Sequence, residues 1–107
     1  MPALTIETHS SAASARLALE GELDLSGVTE LERAIDEVRA EGAEQVVVDL
    51  RGLAFMDSSG LRAFVMADAR ARDEGWTFAL IAGEEPVQRV FEITRMDERL
   101  TFVEAPR

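Results

Sequence analysis

Apolar residues recur at every second position near the start of the chain. Leu4 and Ile6 alternate with Thr5 and Glu7 and lead to Thr8, while Leu17 and Leu19 alternate with Arg16, Ala18 and Glu20. The small residues of His9-Ser10-Ser11-Ala12-Ala13-Ser14 lie between them. Period-two patterning on both sides of a short loop predicts an antiparallel hairpin. The period then lengthens to that of a helix, with Val28, Leu31, Ile35 and Val38 on one face. Ser26 is the expected N-cap, Thr29 and Glu32 form a competing capping box, and Gly42 supplies the stop. Val46-Val47-Val48, within Gln45 to Leu50, reads as a strand buried on both faces, and Arg51-Gly52 as a turn.

The second half repeats the alternation of element types. Ser58 to Glu74 has a helical pattern, with Leu61, Phe64, Val65 and Ala69 as its apolar face and Gly75 as its end. Trp76 to Ile81 reads as a strand, and Glu84-Glu85-Pro86 opens a third helix that turns Val87, Val90 and Phe91 inward. A last short strand falls around Leu100 to Val103. The predicted order is β-β-α-β-α-β-α-β, and its strand–helix–strand crossovers require at least partly parallel pairing. The expected fold class is therefore α/β, a mixed β-sheet packed with α-helices, in one domain over residues 1–107.

Charge narrows the partners. With 11 Lys+Arg against 21 Asp+Glu the formal net charge is −10, which argues against nucleic acid or an anionic membrane as the main partner. The apolar stretches are short and broken by charge, and Met1-Pro2-Ala3-Leu4-Thr5 lacks the basic start of a signal peptide. A cytoplasmic location is the expectation. There is no Cys, so disulfides, thiolate catalysis and cysteine-ligated metals are excluded. There is no Lys either, which removes a Walker-type phosphate lysine and a Schiff-base amine.

The sharpest local feature is Phe55-Met56-Asp57-Ser58-Ser59-Gly60-Leu61, where two hydroxyls follow a buried strand and a helix begins. The plain structural reading is that Ser58 is the N-cap. A nucleophile elbow needs a glycine two residues before the serine, and neither Ser58 nor Ser59 has one. A catalytic triad would need His9, the sole histidine, which sits in the expected hairpin loop. Glycines are too sparse for a phosphate-cradling loop. An exposed serine at a helix start can instead be modified. A phosphoryl group there adds about −1.5 to −2 charge beside the positive end of the helix dipole. Asp57, with Glu22 or Asp24 nearby, would make that patch more negative, and Arg62, one turn on, would offset part of it.

These residues carry a family resemblance. Gly21-Glu22-Leu23-Asp24, Val46-Val47-Val48-Asp49-Leu50 and Phe55-Met56-Asp57-Ser58-Ser59-Gly60-Leu61 together closely resemble the STAS domain, in particular the free-standing anti-sigma-factor antagonists of bacteria, from about Leu4 to Val103. The resemblance implies partner switching. The unphosphorylated protein would bind an anti-sigma factor that is a serine kinase and so free a sigma factor. Phosphorylation at Ser58, with Ser59 as second candidate, would end binding, and a serine phosphatase would reset the cycle. Asp24 matches the family's acidic residue at the kinase-binding surface and Asp57 the acid before the phosphoserine; Ser58, Ser59, Gly60 and Arg62 complete the implied contact surface. ATP and magnesium belong to the kinase, so no cofactor is expected, and the chain is expected to be a monomer. Arg62 departs from the small residue or glycine of many relatives, and Met96-Asp97 stands where relatives often carry a glycine near a leucine.

Two other readings compete. One is a non-switching scaffold subunit of a stress-signalling or lipid-transport complex; the other is a module for a nucleotide or small ligand, which would raise the melting temperature on binding. Trp76 and Phe78 are expected in the core or at its edge, and Met56 and Met66 as core gap-fillers. Glu84-Glu85 reads as a helix start, and Arg70, Arg72, Asp73 and Glu74 as a solvated face.

Overall fold

The computed structural model describes residues 3–106; Met1 and Pro2, on which the reading of the N-terminal segment partly rested, and Arg107 lie outside the described residues. The elements are β1 (Thr5–Ser11), β2 (Ser14–Leu23), α1 (Leu25–Ala40), β3 (Gln45–Met56), α2 (Ser58–Glu74), β4 (Thr77–Ile81), α3 (Glu85–Ile93) and β5 (Phe102–Val103). The five strands form one sheet in sequence order. β1 runs antiparallel to β2, and β2 to β5 are parallel. Each crossover steps to the next strand in the same direction, so a constant crossover hand places α1, α2 and α3 on one face.

Burial alternates accordingly. Leu17, Leu19, Val46, Val48, Leu50 and Leu80 are fully buried towards the helices, where they meet Leu31, Phe64, Val87 and Phe91. Each such side chain contributes roughly 1.5–3 kcal/mol of transfer free energy. Phe64 stacks on Phe91 at 6.2 Å between centroids, and Phe78 meets the edge of Trp76 at 6.4 Å. Trp76 precedes β4 rather than starting it; its indole N–H donates to Glu74 and its ring lies beneath Arg39 and Arg70. Arg70 also pairs with Asp36 on α1, so it ties two helices together where a purely solvated residue was expected.

Several boundaries differ from expectation. The hairpin loop is only Ala12–Ala13, because His9, Ser10, Ser11 and Ser14 all pair, as in His9 with Arg16. Ala12 accepts the left-handed backbone this tightness needs, with φ at 53°. Val65 and Ala69 are exposed, and Ala63, Ala67 and Ala71 line the buried face of α2 in their place. Small residues there let α2 lie close to its neighbours, which a search for large apolar residues overlooks.

The largest correction concerns Arg51-Gly52. No turn forms; β3 runs straight through it, 12 residues from Gln45 to Met56. The ladder to β2 slips twice, between Ala18 and Glu20 and between Gly21 and Glu22. Each slip adds one residue on β3, so its buried positions run Val46, Val48, Leu50, Leu53, Met56, changing from every second to every third. Gly52 is required at the first slip, since a Cβ there would lie 2.9 Å from the Leu19 carbonyl oxygen. On the face away from the helices, Asp49 pins the same bulge. It accepts from the Arg51 backbone N–H at 3.0 Å and pairs with the guanidinium groups of Arg51 and Arg16 at 2.7 and 3.0 Å.

Candidate functional site

The parallel strands β2 and β3 end level with each other. Leu23 pairs with Met56, and the Asp57 N–H donates to the Leu23 carbonyl at 3.2 Å. The next residue of each strand, Asp24 or Asp57, is in extended conformation and caps the helix that follows. Asp57 Oδ1 accepts from the backbone N–H of Ser59 at 2.9 Å and of Gly60 at 3.4 Å. Asp24 Oδ1 accepts from the N–H of Ser26 at 3.0 Å and from its hydroxyl at 2.6 Å. Those bonds, the Ser26 hydroxyl foremost, hold the Asp24 carboxyl below the usual carboxylate range.

The caps are therefore Asp24 and Asp57, not Ser26 and Ser58 as expected. A carboxylate accepts a backbone N–H in a charge-assisted bond and also suits the helix dipole, so it wins the position over a hydroxyl one or two residues away. The correction matters for the site. Relieved of capping, Ser58 is the first residue of α2, exposed, and its hydroxyl donates to no side chain or backbone group among the described residues.

Gly60 fixes the depth of this helix start. It is buried, and a Cβ on it would lie 2.7 Å from Met56 Cγ and 2.8 Å from Leu23 Cδ2. Gly27 plays the matching part in α1, where a Cβ would meet Leu4 at 3.2 Å. The two starts are near-copies in sequence, Asp24-Leu25-Ser26-Gly27 and Asp57-Ser58-Ser59-Gly60. This Asp-x-Ser-Gly repetition was legible in the chain and is the signal that would have identified both caps and singled out Leu25, which the sequence reading missed. Leu25 is 74% exposed.

Between the two starts lies a hollow of 270 Å³ whose apolar lining is Leu25, Val28, Ala63 and Met66. Ser59, Arg62 and Glu32 are its polar lining. Met66 is 55% exposed here and is not the core gap-filler expected of it, whereas Met56 is buried. Of the six residues singled out beforehand, Asp24, Asp57, Ser58, Ser59 and Gly60 thus meet at the paired ends of β2 and β3, and Arg62 lies one turn further along α2. Glu22 also sits in this region, paired with Phe55.

His9 does not belong to this site. It pairs with Arg16, seven residues before Leu23, which places it about 23 Å away along the strand, and its Nε2 lies 2.8 Å from Glu7. Among the described residues no group of three or more His, Asp or Glu could hold a metal ion, and no helix is long and apolar enough to cross a membrane. What the arrangement offers chemically is an exposed, unbonded hydroxyl at Ser58 beside the half-buried hydroxyl of Ser59, on a helix start bordered by exposed apolar surface and carboxylates.

Comparison with known proteins bears on the family and the fold. A family model described as "Mlab, STAS domain" matches residues 6–104. The anti-sigma-B factor antagonist of Staphylococcus aureus (strain NCTC 8325 / PS 47) is 30% identical over 95 residues, covering 89% of this chain and 88% of that protein. Among solved structures, an anti-sigma factor antagonist from Mycobacterium paratuberculosis matches with a TM-score of 0.79 at 22% identity, over 96% of this chain and 87% of that one. The phosphorylated form of the Bacillus cell fate determinant SpoIIAA matches with a TM-score of 0.68 at 22% identity, over 98% of this chain and 93% of that one.

Proposed function

Because this chain belongs to the STAS domain family, we propose that it is an anti-sigma-factor antagonist acting by partner switching through Ser58. In the unphosphorylated state it binds an anti-sigma factor that is a serine kinase, which releases a sigma factor. The kinase then uses its own ATP and magnesium. Ser58 Oγ forms a bond to the γ-phosphorus, the bond from that phosphorus to the bridging oxygen breaks, ADP leaves, and the hydroxyl proton passes to a base of the kinase. The phosphorylated protein dissociates, and a serine phosphatase hydrolyses the ester.

The observation that carries this reading is the division of labour at the start of α2. Asp57 satisfies the helix N–H groups, which leaves the Ser58 hydroxyl exposed and uncommitted. A phosphate added there meets the positive end of the α2 dipole, so the fold tolerates it. A partner lying over Leu25 and the hollow would meet instead a new charge of about −1.5 to −2, next to Asp24 and Asp57. Like-charge repulsion and desolvation of a dianion at an apolar contact both favour release.

The test is the intact mass of wild type and Ser58→Ala after incubation with ATP, magnesium and lysate of the native host. One added phosphate on wild type alone supports the proposal. Equal phosphorylation of the variant moves the site to Ser59 or elsewhere. Absence of phosphate from both, with partners still co-purifying, favours the scaffold reading.

A further inference from the structure

We propose that Arg62 is an internal receiver for the phosphate on Ser58, so that modification withdraws a guanidinium from the lining of the α1–α2 hollow as well as adding charge. The inference rests on the reading of Ser58 as the modified residue. Three observations carry it.

The first is placement. Residues four apart on a helix are neighbours on its surface, with Cβ atoms about 5–6 Å apart. Helical side chains also lean towards the N-terminus, so the Arg62 guanidinium is within reach of the turn that Ser58 begins.

The second is that Arg62 is free. Arg70 on α2 is held by Asp36 and Glu74, and Arg72 by Asp68 at 3.2 Å. Arg62 is exposed, and among the described residues no carboxylate lies within 4.0 Å of its guanidinium. Asp57 is committed to the helix N–H groups, and Glu32 lines the hollow without pairing.

The third is that Arg62 already lines the hollow together with Leu25, Val28 and Met66. Its aliphatic stem can cover that apolar surface while the head stays in water. A phosphate on Ser58 offers three strong acceptor oxygens, a better partner than water for the guanidinium fork. The pair neutralises part of the added charge, so the partner senses phosphorylation partly as a rearranged lining.

The experiment uses the full chain with phosphoserine installed at position 58 by genetic encoding, which needs no kinase. The second ionisation of the phosphate is followed by phosphorus NMR against pH in wild type, Arg62→Ala and Arg62→Lys. The neighbouring carboxylates Asp24, Asp57 and Glu32 are the same in all three. Arg62→Ala should raise the midpoint by roughly a third of a unit or more, and Arg62→Lys should retain most of the wild-type value. Coincident midpoints for wild type and Arg62→Ala would overturn the proposal. If the native kinase does not modify Ser58, the reading of function fails while this measurement still reports on Arg62.

Discussion

Leu25 and Ser58 hold the same position in two neighbouring helices: each is the first helical residue after an aspartate cap, at the end of two strands paired Leu23 to Met56. One start presents an exposed apolar side chain and the other a free hydroxyl. The pair makes a surface on which an apolar contact and a modifiable group sit side by side.

Leu25→Ser should therefore separate binding from folding. At 74% exposure the change should alter stability by no more than about 0.5 kcal/mol. Under the proposed function it should weaken binding to the anti-sigma factor kinase by about tenfold or more, the behaviour of an apolar residue central to an interface. Titration calorimetry measures this directly, and an unchanged affinity would put the contact elsewhere.

Ser58→Glu places a negative charge at the first position of α2. The helix dipole favours it while the nearby Asp57 and Asp24 oppose it, so the urea midpoint should stay close to wild type. Under the proposed function, binding to the kinase should fall. A variant that unfolds would mean that Ser58 is packed and not on a free surface.

Gly60→Ala is expected to be the most damaging small change at the site. The added methyl would sit 2.7–2.9 Å from Met56 and Leu23 side chains in a filled core, a crowding that costs about 1–3 kcal/mol. Thermal unfolding should show a lower melting temperature. Gly42→Ala makes a useful contrast, since no atom lies within 4 Å of its Cβ position and only its φ of 104° is strained.

Asp49 should shape the acid limb of stability. The Arg51 guanidinium, aided by the Arg51 N–H and by Arg16, holds its carboxyl below the ordinary range despite burial. A carboxyl lowered in the folded state contributes stability that is complete above the unfolded value of about 3.9 and is lost as pH falls through the lower folded value. Asp49→Asn should lower stability at pH 7 by about 1–2 kcal/mol, the charges left behind on Arg51 and Arg16 being partly exposed to water, and flatten its decline below pH 4. Urea midpoints across pH 2–7 test this; an acid limb of unchanged shape would count against it.

Much of this architecture was legible in the chain because local patterns agreed with it. The helical spacing of Leu31, Ile35 and Val38 and the span of α2 appear in the structure as read, and the valine run does form a strand, although Val47 is only half-buried on its second face. The failures share a cause, competition between neighbours that a one-dimensional pattern does not rank. Ser26 and Ser58 are good caps, yet an aspartate lies within two residues of each and takes the helix N–H groups. Arg51-Gly52 has turn composition, yet a bulge beside β2 uses the same residues while the strand continues. Met66 has the composition of a core residue, and only the packing of α1 beside α2 shows that it lines an open hollow.

The two slips in β3 also set the timing of the site. From the Ser14–Gln45 pair to the Leu23–Met56 pair, β2 advances nine residues and β3 eleven. In a regular ladder Leu23 would stand opposite Ala54, and the start of α2 would overshoot that of α1 by roughly 6–7 Å, two strand residues. The bulges take up this slack like a vernier. A single-residue deletion between Leu50 and Phe55 would thus move Ser58 out of step with Leu25, although it touches neither residue.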